Sequence, residues 1–182
     1  MVDTIKTTAA LLGDLAGGAP SSITAQTMRN AVVTLLGDFT GISHYAASPA
    51  DFAIADSTLT KFTQFGFEQP APPTAGASVP DAVGDTVTIG TDGTFLVEMS
   101  ASFGADAEDY SWSVFLNGSE LSPLAIKSRA TTAGQSDVVT CAAAAPVALV
   151  AGDYLELFAV AHGSGAKTAK VHNAHLSVLR IG

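Results

Sequence analysis

The segment HGSGAKT, residues 162–168, has the residue types of a phosphate-binding loop. Such a loop needs a glycine directly before the lysine and a helix after it, so that backbone N–H groups point at the phosphate. Here Ala166 precedes Lys167, and the residues that follow have a strand pattern. The segment therefore predicts a hairpin turn and not a nucleotide site.

The four histidines are candidates for a metal site. His172 and His175 are three residues apart, and an odd spacing on a strand sends the two side chains to opposite faces, out of reach of one metal ion. His44 and His162 stand alone in the sequence. All four are interpreted as hydrogen-bonded or solvated side chains, and no metal is predicted from a single chain. One alternative stays open: in a trimer, a histidine near the symmetry axis meets its own copies and forms a metal site or a pH-sensitive site.

The acidic segment GADAEDY, residues 104–110, offers the oxygen ligands that calcium prefers. Its carboxylates, Asp106, Glu108 and Asp109, lack the Asx–Gly spacing of a dedicated calcium loop, so a solvated turn is predicted. Ser136 in GQSDVV precedes a strand and lacks the pattern of a nucleophile elbow. Neither paired carboxylates nor a glycine-rich cofactor turn accompany these residues. We therefore expect a protein without enzymatic activity and without a cofactor.

The charge balance narrows the classes of partner. The 182 residues contain 8 Lys+Arg and 17 Asp+Glu, a net charge of −9, so the attraction that drives binding to nucleic acid or to anionic membranes is missing. No apolar run approaches the ~20 residues of a membrane span. The N-terminus also lacks the order of a secretory signal, and we expect the mature chain to start where the sequence starts. Nucleic-acid binding and membrane insertion are therefore not expected.

The composition favours an oligomer. Only 14% of the residues are charged and 47% are hydrophobic, whereas an average soluble chain has roughly 25% charged residues. Such a surface carries less charge than a lone monomer normally has. The single cysteine, Cys141, excludes an intrachain disulfide and is predicted to be a small buried side chain in a strand.

Two short α-helices are predicted in residues 1–40, the region that we interpret as an attachment region. The second helix covers about residues 25–36, with Thr24 as its N-cap. Isolated helices of this length are marginal in water, so their apolar faces need a partner surface. A DNA-reading helix pair is disfavoured because Arg29 is the only basic residue of the second helix. The candidate particle-attachment or trimer-contact residues form the apolar stripes of the two helices: Leu11, Leu12, Leu15, Met28, Val32, Leu35 and Leu36.

Residues 41–182 have the two-residue period of β-strands. In STLTKFTQF, this period puts Leu59, Thr63 and Phe65 on one face of a half-buried strand. A proline-rich loop is predicted for residues 68–84. Further alternation, as in FLVEMSASF and YSWSVFL, raises the count to about eight strands, which predicts an antiparallel jelly-roll sandwich. The alanines and serines on the strand faces suit close approach of sheets or subunits.

From residue 84 onward, the order of elements resembles the tumour-necrosis-factor-like and complement-like jelly roll that recurs in bacteriophage surface proteins. The stretches that carry this resemblance are DGTFLVEMSASF, YSWSVFLNGSEL, VALVAGDYLELFAVAH and AHLSVLRIG. Residues 1–40 are similar to the opening that many phage fibre, neck and head proteins share. The matching residues are Thr8, Leu11, Leu12, Leu15, Ile23, Ala25, Gln26, Arg29 and Val32.

The resemblance implies a structural protein on the surface of a virion, assembled in the host cytoplasm. It also implies a homotrimer whose N-terminal part binds other virion proteins and whose jelly roll is exposed. A decoration, spike or fibre on the phage head is the first expectation. The alternative is a tail-associated module whose loops, such as 106–109 or 163–168, bind a host cell-surface glycan. A secreted bacterial binding domain is a third hypothesis, which the missing signal sequence disfavours.

Overall fold

The structure, a computed structural model, describes residues 39–69, 77–131, 138–163 and 165–182. These residues form β-strands and connections, and none of them is helical. The two helices predicted in residues 1–40, with every candidate contact residue on them, lie outside the described residues. The strands are β1 (Phe39–Ile54), β2 (Thr60–Lys61), β3 (Phe67–Gln69), β4 (Val79–Asp81), β5 (Thr86–Thr88), β6 (Gly93–Gly104), β7 (Asp109–Leu116), β8 (Ser119–Arg129), β9 (Val138–Leu149), β10 (Tyr154–His162) and β11 (Lys167–Arg180).

The strands build two packed sheets. Sheet I has the order β3-β1-β11-β6-β9, and sheet II has the order β4-β5-β10-β7-β8, with β2 added against β10. All of these pairings are antiparallel. The predicted antiparallel β-sandwich is therefore confirmed. The strand count exceeds the predicted one because β2 to β5 contain only two or three residues each.

Strict alternation of side chains fills the space between the sheets. On β6, the face predicted to be buried is buried: Phe95, Val97, Met99, Ala101 and Phe103 are at most 1% exposed. On β7, Tyr110, Trp112 and Val114 are fully buried opposite them. The Trp112 ring centroid lies 5.4 Å from that of Phe103, 5.9 Å from Phe62 and 6.2 Å from Phe52. Large aromatic side chains dominate the energy of such a core because each buries so much apolar area.

The segment after β1 departs from the predicted strand. Its regular part is only β2, and Phe62 and Phe65 are both buried although the alternation placed them on opposite faces. Leu59, predicted to share the face of Phe65, is 44% exposed. The backbone N–H of Phe62 donates to Leu157 O, and that of Phe65 donates to the Asp85 carboxylate. The chain therefore leaves the ladder after β2, and a three-residue spacing brings both rings inward.

The hairpin predicted for residues 162–168 is wrong. The strands on either side, β10 and β11, belong to different sheets, so this segment crosses from sheet II to sheet I. The Asp56 carboxylate fixes the crossing by accepting hydrogen bonds from Gly163 N at 3.3 Å and Gly165 N at 3.2 Å. A side chain at Gly163 would overlap the Glu108 carboxylate. Gly163 and Gly165 therefore allow the chain to make this tight crossover.

Other predicted turns are placed more simply. Asn117 and Gly118 have φ values of 50° and 79° and join β7 to β8, as the Asn-Gly pair predicted. The proline-rich loop predicted for residues 68–84 is wrong in two places, because residues 68–69 belong to β3 and residues 79–81 form β4, which is paired with β5. The described residues contain no helix long and apolar enough to cross a membrane.

Candidate functional site

Two of the four histidines are held by hydrogen bonds. His44 is buried, with Nδ1 2.6 Å from Gln64 O and Nε2 3.3 Å from Val171 O. His162 is exposed, and its Nε2 lies 2.6 Å from Ser111 Oγ. Within the described ranges, no three His, Cys, Asp or Glu side chains are arranged to hold a metal ion.

The polar groups of the acidic segment before β7 make local contacts. Tyr110 is fully buried and its hydroxyl donates to Asp106 O at 3.1 Å. Burial, helped by the charges of Asp106 and Glu108, raises the pKa of Tyr110 to about 12. The Asp109 carboxylate contacts Lys127 Nζ at 3.0 Å and Arg129 at 3.7 Å. The one aromatic residue beside this loop is therefore unable to stack on a ligand.

Ser111, His162 and Asp109 form an unforeseen cluster on the outer side of sheet II. Asp109 is paired with His162 across β7 and β10, and the serine and histidine share a short hydrogen bond. A catalytic triad needs the carboxylate to accept the second imidazole N–H. The two oxygens of Asp109 instead face Lys127 and Arg129, whose side chains are 60% and 73% exposed. This cluster has a nucleophile and a base but lacks the carboxylate contact that would orient the base.

The outer side of sheet I is the most unusual surface of the molecule, and we call it the small-residue face. It is defined by four rows that cross the sheet from β9 to β1, two of which also reach β3. The rows are Thr140, Ser102, Asn173 and Tyr45; Ala142, Ser100, His175, Ser43 and Phe67; Ala144, Glu98, Ser177, Gly41 and Gln69; and Pro146, Leu96, Leu179 and Phe39. Apart from Glu98 and the titratable His175 and Tyr45, these residues carry no ionisable side chain.

Strand β9 forms one long edge of this face. It has 12 residues, and its exposed, outward positions are Val138, Thr140, Ala142, Ala144, Pro146 and Ala148. None of these side chains is charged; among the devices that normally protect an edge strand (charges, prolines, bulges or covering elements), this row holds only Pro146. Its inward residue Cys141 is buried beside Ser128 of β8, and burial raises the pKa of the thiol to about 11.

A shallow depression of about 390 Å³ lies in the small-residue face, between β9 and β11. Its lining includes Glu98, Ser100, Ala142, Ala144 and His175. Burial lowers the pKa of His175, and the neighbouring charge of Glu98 acts in the opposite direction.

The far edge of the same face carries exposed aromatic rings. Tyr45 is 70% exposed and Phe67 is 58% exposed. Phe67 is paired with Ser43, so Tyr45 lies diagonally next to it on the same side of the sheet. Residues this large and apolar, clustered on one face, mark an interaction surface more often than a solvated one. No local pattern in the sequence signals this cluster, because the register of β3 on β1 creates it.

No protein-family model matches the sequence, and no curated protein matches it. Solved structures do match the fold. Eiger TNF from S. frugiperda has 14% sequence identity over 81% of this chain and 94% of its own, with a TM-score of 0.60. Murine APRIL has 16% identity over 79% of this chain and all of its own, with a TM-score of 0.51. The globular domain of zebrafish complement 1qA covers 80% of this chain at 10% identity, with a TM-score of 0.48.

The two similarities with the higher scores show a TNF-like jelly roll, which agrees with the fold implied by the sequence resemblance. At these identities, they show the fold alone.

Proposed function

We propose that this chain is a non-enzymatic subunit of a homotrimer on the surface of a bacteriophage, in the role of a decoration, spike or fibre of the head. Its jelly roll is displayed, and its N-terminal region attaches the trimer to other virion proteins. The observation that carries the oligomer is the small-residue face with its uncharged edge strand β9. The virion setting is supported by the sequence resemblance of residues 1–40 and 84–182.

The edge strand argues for a covered surface. Among the described strands, β9 pairs in the ladder only with β6, while β8 of sheet II lies beside it without ladder pairing, and the outward side chains of β9 are small and uncharged. Such an edge pairs with or packs against another chain unless something covers it. Alanine, serine and glycine residues are also small enough to let a neighbouring backbone approach the sheet closely. A second copy of this chain meets both requirements, because it can cover the edge and the face together.

The geometry favours a ring over a symmetric dimer. The uncharged edge at β9 and the exposed aromatic residues Tyr45 and Phe67 lie at opposite sides of sheet I. An edge of one subunit that packs on the other side of the next makes a head-to-tail contact, which forms a ring when the rotation between neighbours closes and an open filament when it does not. The family that the sequence resembles implies that the ring contains three subunits.

Attachment is assigned to the N-terminal region because its apolar stripes need a partner. The two predicted helices would have apolar faces that helices of this length are unable to bury by themselves; the residues of these faces are Leu11, Leu12, Leu15, Met28, Val32, Leu35 and Leu36. Packing against the particle, or around the trimer axis, buries them. Neither role requires the basic residues that nucleic acid or a membrane surface would demand.

The alternative is a tail-associated module that recognises a host glycan. The loops proposed for it are 106–109 and 163–168, but Tyr110 beside the first is buried and the second is tied to Asp56. Sugar-binding sites usually use an exposed aromatic ring for stacking, so these loops favour the passive role. Specific binding of the intact oligomer to a glycan array would favour the alternative.

The oligomer is tested by light scattering coupled to size exclusion, with the expectation of three chains per particle. Ala144→Asp should give a folded monomer, because Ala144 is exposed in one subunit but covered in the ring. Placing an unpaired charge in a covered contact costs several kcal/mol per site, which corresponds to a loss of about a thousandfold or more in affinity. Ala166→Asp makes the same change in the exposed crossover and should remain trimeric.

A wild-type monomer at micromolar concentration, or a trimeric Ala144→Asp variant, would contradict the proposed interface. Circular dichroism of each variant checks that the β-fold persists.

Attachment is tested with virions that lack the protein. The full chain should sediment with them, and a variant without residues 1–38 should remain a folded β-protein that stays in the supernatant. Cosedimentation of the shortened variant would place the anchor in the jelly roll. Labelling of intact particles with antibodies then distinguishes head from tail.

A further inference from the structure

Glu98 is the one carboxylate among the four rows of the small-residue face. It lies on β6 opposite Ala144 and Ser177, while His175 on β11 lies opposite Ser100 and Ser43. The carboxylate and the imidazole are thus diagonal neighbours, and both line the depression near the centre of sheet I. Any subunit that covers this face covers both groups.

The surroundings of the pair hold few other charges. Strand β9 contributes only Ala142 and Ala144 to the depression's outward lining, and the outward residues of β1 nearby are Ser43 and Tyr45. On β3, the Glu68 carboxylate already accepts a hydrogen bond from Ala82 N. Along β1 and β11, Asp51 and Lys170 contact each other at 3.9 Å, and at the other end of β11 Arg180 donates a hydrogen bond to Asp92 O at 3.0 Å.

The other histidine of β11, His172, lies next to Asn173, where the register between β6 and β11 shifts. Burial lowers the pKa of His175, so in the free subunit at neutral pH the imidazole is uncharged. The charge of the pair is then that of the half-buried Glu98 side chain. The pair therefore carries one net negative charge before assembly.

Covering a lone carboxylate removes its hydration, and that costs several kcal/mol unless the charge is cancelled. The pair can cancel it in two ways: a proton on His175 makes an ion pair, or a proton on Glu98 makes a neutral acid. Both states hold one proton more than the free subunit, and the titration belongs to the pair and not to either residue. The direction of the linkage is therefore the same whichever group receives the proton.

We propose that closure of the subunit contact over Glu98 and His175 takes up about one proton per subunit, so that mild acid tightens the oligomer. This inference rests on the proposed trimer and names its regulation. The uptake operates above the pKa of His175 in the free subunit and below the pKa of the covered pair, because only there do the two states differ in bound protons. With one proton per subunit, the association constant of three subunits rises about 1,000-fold for each unit by which the pH falls.

Sedimentation velocity of the full chain at pH 8, 7 and 6 measures the effect across a range of protein concentrations. Glu98→Gln removes the charge at nearly constant shape, so it should bind tightly at pH 8 and lose the pH dependence. His175→Gln leaves Glu98 as the only proton acceptor and should shift the dependence to lower pH. Glu156→Gln removes a carboxylate from β10 on sheet II and should keep the wild-type pH dependence.

A calorimetric dilution in two buffers of different ionisation enthalpy counts the protons directly. A trimer whose affinity is independent of pH, or weaker in acid, would refute the proton uptake and leave the proposed trimer standing. A Glu98→Gln variant that keeps the full pH dependence would refute it in the same way. A monomer at every pH would refute the proposed function itself.

Discussion

Replacing Phe62 by alanine tests how the irregular segment after β1 contributes to the core. The ring is fully buried, and its centroid lies 4.9 Å from Phe65, 5.1 Å from Phe52 and 5.9 Å from Trp112. The first two contacts are edge-on, the arrangement that aromatic pairs favour. The substitution therefore removes both a large buried apolar surface and several ring contacts.

The expected loss in free energy of unfolding is about 4 kcal/mol, because truncation of a buried phenylalanine to alanine typically costs 3–5 kcal/mol. Leu59→Ala should cost less than about 1 kcal/mol, since Leu59 is 44% exposed. Thr63→Ala, next to Phe62 and exposed, is the matched control and should change stability by at most about 0.5 kcal/mol. Simple alternation puts Leu59 and Phe65 on one face and Phe62 on the other, so a large loss for Phe62→Ala with a small one for Leu59→Ala tests the observed packing of this segment.

Urea unfolding at one fixed protein concentration gives these differences, since oligomer formation makes apparent stability depend on concentration. Trp112 is the single tryptophan of the chain and reports on the same cluster. Far-UV circular dichroism serves as a second probe that does not depend on quenching near Trp112. A loss below about 1 kcal/mol for Phe62→Ala, or a larger loss for Leu59→Ala, would refute the assigned packing.

Two further outcomes follow from named contacts. Burial raises the pKa of the Cys141 thiol from 9.0 to about 11. Its reaction with a disulfide reagent at pH 8 should therefore be at least about a hundredfold slower in the folded protein than in urea. Equal rates in the two states would contradict the burial of Cys141. Asn117→Asp replaces an amide that donates to Asp153 Oδ1 at 2.7 Å by a second carboxylate, so it should destabilise the protein by about 1 kcal/mol, more than Asn117→Gly does. Thermal melts measure that difference, and an equal effect of both variants would show that repulsion from Asp153 is unimportant.

The regular strands were predictable from the sequence because each of them repeats a local rule. On β6 and β7, apolar residues alternate with small or polar ones, and the buried face is the predicted one. The Asn-Gly turn likewise needs only its two residues. In these elements, local preference and tertiary packing agree, which is the condition for reliable prediction.

Tertiary contacts decided the elements that were not foreseen. Strand β1 contains glycine, serine and proline, which weaken any local strand signal, and its pairing with β11 makes it a strand. The segment 162–168 has the composition of a hairpin turn, and only the assignment of β10 and β11 to different sheets shows that it is a crossover. Phe62 is buried because its backbone bonds to Leu157, a partner far away in the chain.

The sequence predicts that the chain has a surface of small, uncharged residues, but it does not predict which residues lie together on that surface. The low charge of the chain, together with the alanines and serines of its strands, predicts contact between subunits, and this stays a prediction. Which residues share a face depends on register between strands that are distant in sequence, as with Glu98 on β6 and His175 on β11. The strict alternation assumed for His172 and His175 does not apply at His172, because the β6–β11 register shifts between Val171 and Asn173. The absence of a joint metal site at these two histidines stays a prediction.

Because β11 lies in the centre of sheet I, a newly made chain can complete this sheet only after β11 has been synthesised. This strand is the last in chain order, yet it joins β1 to β6 and so holds the sheet together. A ribosome-bound chain therefore lacks the small-residue face until residue 180 has emerged, and the long-range pairing that follows is inherently slow. In the proposed oligomer, shortened translation products and chains cleaved before β11 would offer a neighbouring subunit no such face. Strand order would then restrict incorporation to chains that contain β11.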